Sequence, residues 1–165
     1  METRLAGPED VARIVTLAAE KRLLHSTYQP QFWNPSEGAE VLQDGWFRFL
    51  LTDPSHQVLV TEVDSEVVGF IVGRLMDAPP VYDPGGKTCM VDDFVAEPGP
   101  LFSGLLEAMS EWALGNGASQ LVVVTAAADS TKRAALLDAQ LSPASEWWVK
   151  TLAGQPLVEP QSTPT

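Results

Sequence analysis

Cysteine is all but missing from this chain of 165 residues: Cys89 stands alone. No intrachain disulfide can form, and a single cysteine in an apolar stretch reads as a small core residue. Histidine is nearly as scarce. His25 and His56 are isolated from each other and from any cysteine or carboxylate at ligand spacing, so no metal site is expected. Positive charge is also in short supply, with 10 Lys and Arg against 22 Asp and Glu and a net charge of −12. Such a chain repels phosphate polymers, which argues against nucleic acid as a partner. The acidic surplus could draw a cationic amine or form a solvated surface. No apolar run approaches the roughly 20 residues that span a bilayer, so no membrane partner is expected. The opening Met1-Glu2-Thr3-Arg4 lacks a basic-then-apolar leader, and the expectation is a cytoplasmic protein. No internal repeat and no Ser–His–Asp signature are found.

What is present is an ordinary globular composition, 45% hydrophobic and 19% charged. The length suits one domain, expected over residues 1–150. A frayed tail rich in Gly, Pro, Gln, Ser and Thr is expected over 151–165. Thr3–Leu5 reads as a short strand broken by Gly7-Pro8. Pro8-Glu9-Asp10 opens a helix with acid in its first turn, carried by Val11, Ile14, Val15, Ala18 and Leu24 to about His25. Tyr28 to Pro35 is an aromatic, proline-bounded loop. A second helix is expected over Ser36–Leu51, capped by Ser36, with Val41, Leu42, Trp46, Phe49 and Leu50 on its apolar side.

Val58–Val63 and Val67–Leu75 read as a β-hairpin, with Gly69 and Gly73 marking a bulge or a close backbone approach. Asp77–Gly86 is a loop, and Thr88–Ala96 a further strand. An amphipathic helix follows over Leu101–Leu114, stopped by Gly115-Asn116-Gly117. Leu121–Thr125 is short and apolar, which predicts a central strand buried on both faces. Ser130–Leu141 predicts a last helix and Ser145–Val149 a last strand. Trp147 and Trp148 on that strand would offer one side chain to the core and one to solvent or a homodimer contact. The order implies an α/β fold, an α+β mixed sheet with helices on both faces.

Several strings resemble the GNAT superfamily of N-acetyltransferases. Thr3 to Asp10 is similar to the family's first strand and helix start, and Val58 to Phe70 to its second and third strands. Val91-Asp92-Asp93-Phe94-Val95-Ala96-Glu97-Pro98 resembles its fourth strand, and Leu105 to Ala118 the helix that follows. The resemblance spans residues 3–149. It implies acetyl-CoA as co-substrate, with no metal, and an amine acceptor of small-molecule or protein origin.

By this resemblance, main-chain groups of Phe94, Val95 and Ala96 would align with the pantetheine arm, and Ser103 and Gly104 would open a helix toward the pyrophosphate. The loop departs from the family pattern. Glu97-Pro98-Gly99-Pro100-Leu101-Phe102 lacks the usual arginine or glutamine and the usual glycines, and Pro100 brings no N–H. Leu136 stands where the family often has a tyrosine that protonates the leaving thiolate. Asp129, Ser130 and Lys132 are its nearest polar neighbours.

Asp92 and Asp93 are the candidate catalytic bases. Strand alternation would send them to opposite faces, and Asp92 is favoured because it would share the face of Phe94 and Ala96. Glu62 is the reserve. Tyr28, Trp33 and Tyr82, on aromatic loops, would wall the acceptor pocket. They could equally close the core. A GNAT-like domain without catalysis, serving as a ligand sensor or a structural partner, is the alternative reading.

Overall fold

The computed structural model describes residues 1–152, so all but the first two residues of the expected tail lie outside it. The chain runs β1 (Glu2–Leu5), a 3-10 turn (Pro8–Asp10), α1 (Val11–Tyr28), α2 (Ala39–Leu50), β2 (His56–Val63), β3 (Glu66–Met76), β4 (Lys87–Val95), α3 (Pro100–Gly115), β5 (Ala118–Val123) and α4 (Ser130–Asp138). The sheet order is β1-β2-β3-β4-β5, antiparallel except for the parallel β4–β5 pair. The mixed α/β sheet expected from the sequence is the sheet that forms.

Alternation along the β2–β3 hairpin fills two cores. Val58, Val60, Phe70 and Val72 face α1 and α2, where Val11, Ile14, Phe47 and Leu50 meet them. Leu59 and Ile71 face the other way, toward Leu105, Leu106 and Met109 of α3. The hairpin closes through Asp64 and Ser65, both at positive φ (51° and 65°). Two consecutive left-handed residues match the twist of the flanking strands. At the N-terminus, Arg4 clasps the buried Asp10 at 2.7 and 2.9 Å and also bonds Glu62 of β2, tying β1 to the entry of α1.

Four expectations need correction. Leu121–Thr125 is not a buried central strand. Among the described residues β5 is the sheet edge, with Ser119 and Gln120 exposed. The strand expected over 145–149 does not form, so no described residue pairs with β5 on its outer side, and Trp147 and Trp148 are both exposed. The second helix starts at Ala39, after a left-handed Gly38 (φ 68°), and not at Ser36. Finally, Phe47 and Leu50 seat α2 on the sheet, whereas Val41, Leu42, Trp46 and Phe49 lie exposed on a second apolar stripe.

The close backbone approach expected at the β3 glycines is present. A Cβ on Gly69 would lie 2.8 Å from the carbonyl oxygen of Val95 and 3.3 Å from Leu105. A Cβ on Gly73 would collide with Met109 Sδ, the far part of a flexible side chain. We expect Gly69→Ala to lower stability by about 1–3 kcal/mol, since backbone cannot yield. Gly73→Ala should cost less, because Met109 can turn aside. Urea unfolding of the two variants checks the order.

Candidate functional site

β4 and β5 pair only over the first half of β4. The parallel register runs from Lys87 opposite Ala118 to Val91 opposite Val123 and ends with the Val124 amide on the Val91 carbonyl at 2.8 Å. Beyond it, Asp92 to Val95 have no β5 partner among the described residues, and the two strands part. At the same place β4 bulges: Val72 faces Asp93 and Gly73 faces Val91, which leaves Asp92 as the extra residue. A bulge of this kind re-aims the side chains that follow it.

The bulge overturns the expected division of the two aspartates. Asp92 and Asp93 do not point to opposite faces. Both line a cavity of about 260 Å³ shared with Gln43, Trp46, Phe47 and Leu50 of α2 and Val72 of β3. Phe94 lies with Val91 in the α3-side core, so Asp92 does not share its face. The two carboxylates also differ in employment. Asp93 accepts from Lys21 Nζ at 2.7 Å, both side chains being largely covered. Asp92 is exposed and has no ion pair or side-chain hydrogen bond among the described residues.

Around the parting lies a cluster that sequence reasoning did not assemble. Lys132, in the first turn of α4, donates from Nζ to the Phe94 carbonyl at 2.7 Å, and its ammonium stands 4.8 Å from the Phe94 ring centroid. The residue as a whole is half-buried, and its charged end is the covered part. Burial, aided by the nearby Lys21, brings the ammonium down to about 7, while Asp93 and Asp129 oppose the shift. Asp129 caps α4, accepting from the Lys132 amide at 2.9 Å. His25 is buried against Trp33, with centroids 4.7 Å apart, and lies near Tyr28. Burial and the charges of Lys21 and Lys132 push it down to about 4, so it is neutral at pH 7. Where the chain leaves β5, the buried hydroxyl of Thr125 has no hydrogen-bond partner among the described residues. The legible signal for this cluster was Lys132 itself, three residues after an N-cap aspartate and one turn before Leu136.

The remaining candidates scatter. Phe94 and Val95 are on the unpaired half of β4, and Ala96 packs against the α3-side core. Helix α3 begins at Pro100, a residue suited to a first helical turn, so Gly104 lies inside the helix and does not open it. Ser103 is turned back, its amide and hydroxyl both reaching Gly99 O at 3.0 Å. Leu101 and Phe102 therefore hold the free N–H groups of this helix start. The Phe102 side chain is buried and stacks on Phe94 at 4.5 Å. Glu62 is engaged by Arg4. Tyr28 and Trp33 come together around His25, whereas Tyr82 stands exposed in the loop before β4.

The depressed His25 carries a stability prediction. Unfolded, a histidine takes a proton near 6.5; in this fold it resists until about 4. Between those values only the unfolded chain is protonated, so stability falls as pH drops from about 6.5 toward 4. Thermal melting across that range should show the decline, and His25→Phe should flatten it.

No protein-family model and no curated protein matches this chain. Solved structures do. A tetramutant of the BH1408 protein from Bacillus halodurans superposes with a TM-score of 0.81 at 15% identity, over 92% of this chain and 100% of that one. A predicted acetyltransferase with acetyl-CoA from Clostridium acetobutylicum gives 0.70 at 17%, over 92% and 96%. A ribosomal-protein-alanine N-acetyltransferase from Brucella melitensis biovar Abortus 2308 gives 0.60 at 20%, over 93% and 99%. At these identities the likeness shows the fold, and it is the GNAT-like fold expected from the sequence.

Proposed function

We propose that this protein is an N-acyltransferase that moves an acetyl group from acetyl-CoA to a cationic amine, acting as one domain in the cytoplasm. The observation that carries the reading is the parting of β4 and β5 beyond Val91, beside a cavity lined by two carboxylates. An extended pantetheine arm can pair with the main-chain groups that β5 leaves free on β4, as a missing strand would. The free N–H groups of Leu101 and Phe102, with the positive end of α3, are the donors for the pyrophosphate. The unpaired Thr125 hydroxyl beside the parting suits a polar ligand better than a closed core. That the Clostridium structure holds acetyl-CoA supports the choice of co-substrate.

The amine enters through the cavity under α2. Asp92 and Asp93 attract a cation there, and Asp92, unpaired, is the group free to take its proton; Asp93 is already held by Lys21. The neutral amine then attacks the thioester carbon, and a main-chain N–H of β4 stabilises the oxyanion. Trp46 and Gln43 are the remaining walls that select the acceptor.

Two observations favour a second reading, a GNAT-like sensor or structural domain without turnover. Phe102 packs into the core against Phe94, and Lys132 already occupies the Phe94 carbonyl. Calorimetric titration with acetyl-CoA separates the two. We expect micromolar affinity, and absence of binding at millimolar concentration supports the second reading. Where binding occurs, Asp92→Asn should lower turnover with a panel of polyamines, amino sugars and peptide N-termini by about 100-fold or more. Its acetyl-CoA affinity should be unchanged. Undiminished turnover removes Asp92 as the base.

A further inference from the structure

Lys132 is left without a task by the chemistry so far. We propose that Lys132 is the catalytic acid of the transfer: its ammonium, set in the parting of β4 and β5, protonates the sulfur that leaves when the thioester is cleaved. The inference rests on the transferase reading and adds to it the residue that completes the proton balance.

Placement is the first support. The Lys132 ammonium is tethered at 2.7 Å to the carbonyl of Phe94, on the half of β4 that has no β5 partner. A thioester drawn along that edge brings its sulfur past this group. The form in which the side chain is held is the second. A carbonyl oxygen and the face of an aromatic ring both favour the cation. In that form the group has hydrogens to give and no lone pair, which is the form an acid needs.

The surroundings tune that acid. Lys21 and His25 lie near it on α1, Asp93 on β4 and Asp129 in the loop before α4. Burial and Lys21 bring Lys132 to about 7, below the ordinary thiol value of about 8.5. Proton transfer to a thiolate is therefore downhill. His25, at about 4, is neutral and does not compete. Leu136, one turn further along α4, is buried hydrocarbon and cannot supply a proton.

The step balances. Asp92 passes the proton taken from the ammonium to solvent; the neutral amine nitrogen then forms its bond to the carbonyl carbon and loses a second proton to Asp92, which releases that one to solvent as well. The tetrahedral intermediate collapses, the carbon–sulfur bond breaks, and its electron pair goes to sulfur. Lys132 gives that sulfur a proton, becomes a neutral amine and is reprotonated from solvent. Amine and thioester become amide and thiol.

The test compares the full chain with Lys132→Met and Lys132→Arg. Acetyl-CoA affinity is measured by calorimetry, and thiol release from acetyl-CoA with spermine and with water as acceptors. The Lys132 side chain is titrated by NMR of isotope-labelled lysine, and the protein is mapped by mass spectrometry after incubation with acetyl-CoA. We expect both variants to bind acetyl-CoA within threefold of the parent and to release thiol about 100-fold more slowly. Arginine keeps the charge but cannot part with a proton. The parent should lose activity as pH rises above 7, in step with the NMR titration.

Parental rates in Lys132→Met, or in Lys132→Arg, overturn the inference alone. So does titration of Lys132 at an ordinary lysine pH, or an acetyl group found on Lys132, which would make it an acceptor. A parent chain that does not bind acetyl-CoA, or binds it without releasing thiol, overturns the transferase reading and this inference together.

Discussion

The hydrogen bond from the Val124 amide to the Val91 carbonyl is the last one that β4 and β5 share. Everything of chemical interest follows from what happens just past it. A parallel pair that separates exposes main-chain donors and acceptors that must be satisfied by something other than a strand. The one-residue excess at Asp92 keeps the break in place. It holds β4 against β3 while turning two successive carboxylates toward α2 and returning Phe94 to the α3 side. Without the bulge, strict alternation would put one aspartate in the apolar core under α3, where a charge is costly.

The acidity of the whole chain would oppose an anionic co-substrate such as the one proposed, and the structure sets opposing charges locally. Lys21 and Lys132, two of the few basic residues, converge near the parting, one on Asp93 and one on the Phe94 carbonyl. Arg4 is spent elsewhere, on Asp10 and Glu62. The field is therefore divided: a pair of cations beside the slot and a pair of carboxylates lining the cavity. Two ligands of opposite charge can be brought to the same strand from different sides in such a field.

Much of the fold was legible because its signals are local. Alternation in the hairpin, the proline and acid at the start of the first helix, and the Gly115-Asn116-Gly117 stop each specify an element from a few residues. The resemblance of Val91 to Pro98 pointed to the strand that bulges and parts from β5. What could not be read was tertiary. An apolar run such as Leu121 to Val123 suits a central or an edge strand alike, and only the failure of 145–149 to form a strand makes it an edge. The bulge depends on pairing with β3, so no pattern within β4 revealed that Asp92 and Asp93 share a cavity. The apolar stripe Val41, Leu42, Trp46 and Phe49 has helical spacing as good as that of Phe47 and Leu50, and packing chose the latter. Lys132 escaped attention because a lysine near a helix start reads as solvated surface until the strand beneath it is seen.

Cys89 lies under α3 with no exposed surface, and burial raises its thiol to about 11. In the native protein it is a silent sulfhydryl, out of reach of alkylating reagents and held in its unreactive protonated form. Reagents that report free coenzyme A by colour would thus meet no competing signal from the folded chain. Once the β4–α3 core opens, the same thiol becomes reactive, so the rate at which it is alkylated clocks the opening of the layer on which the whole site stands.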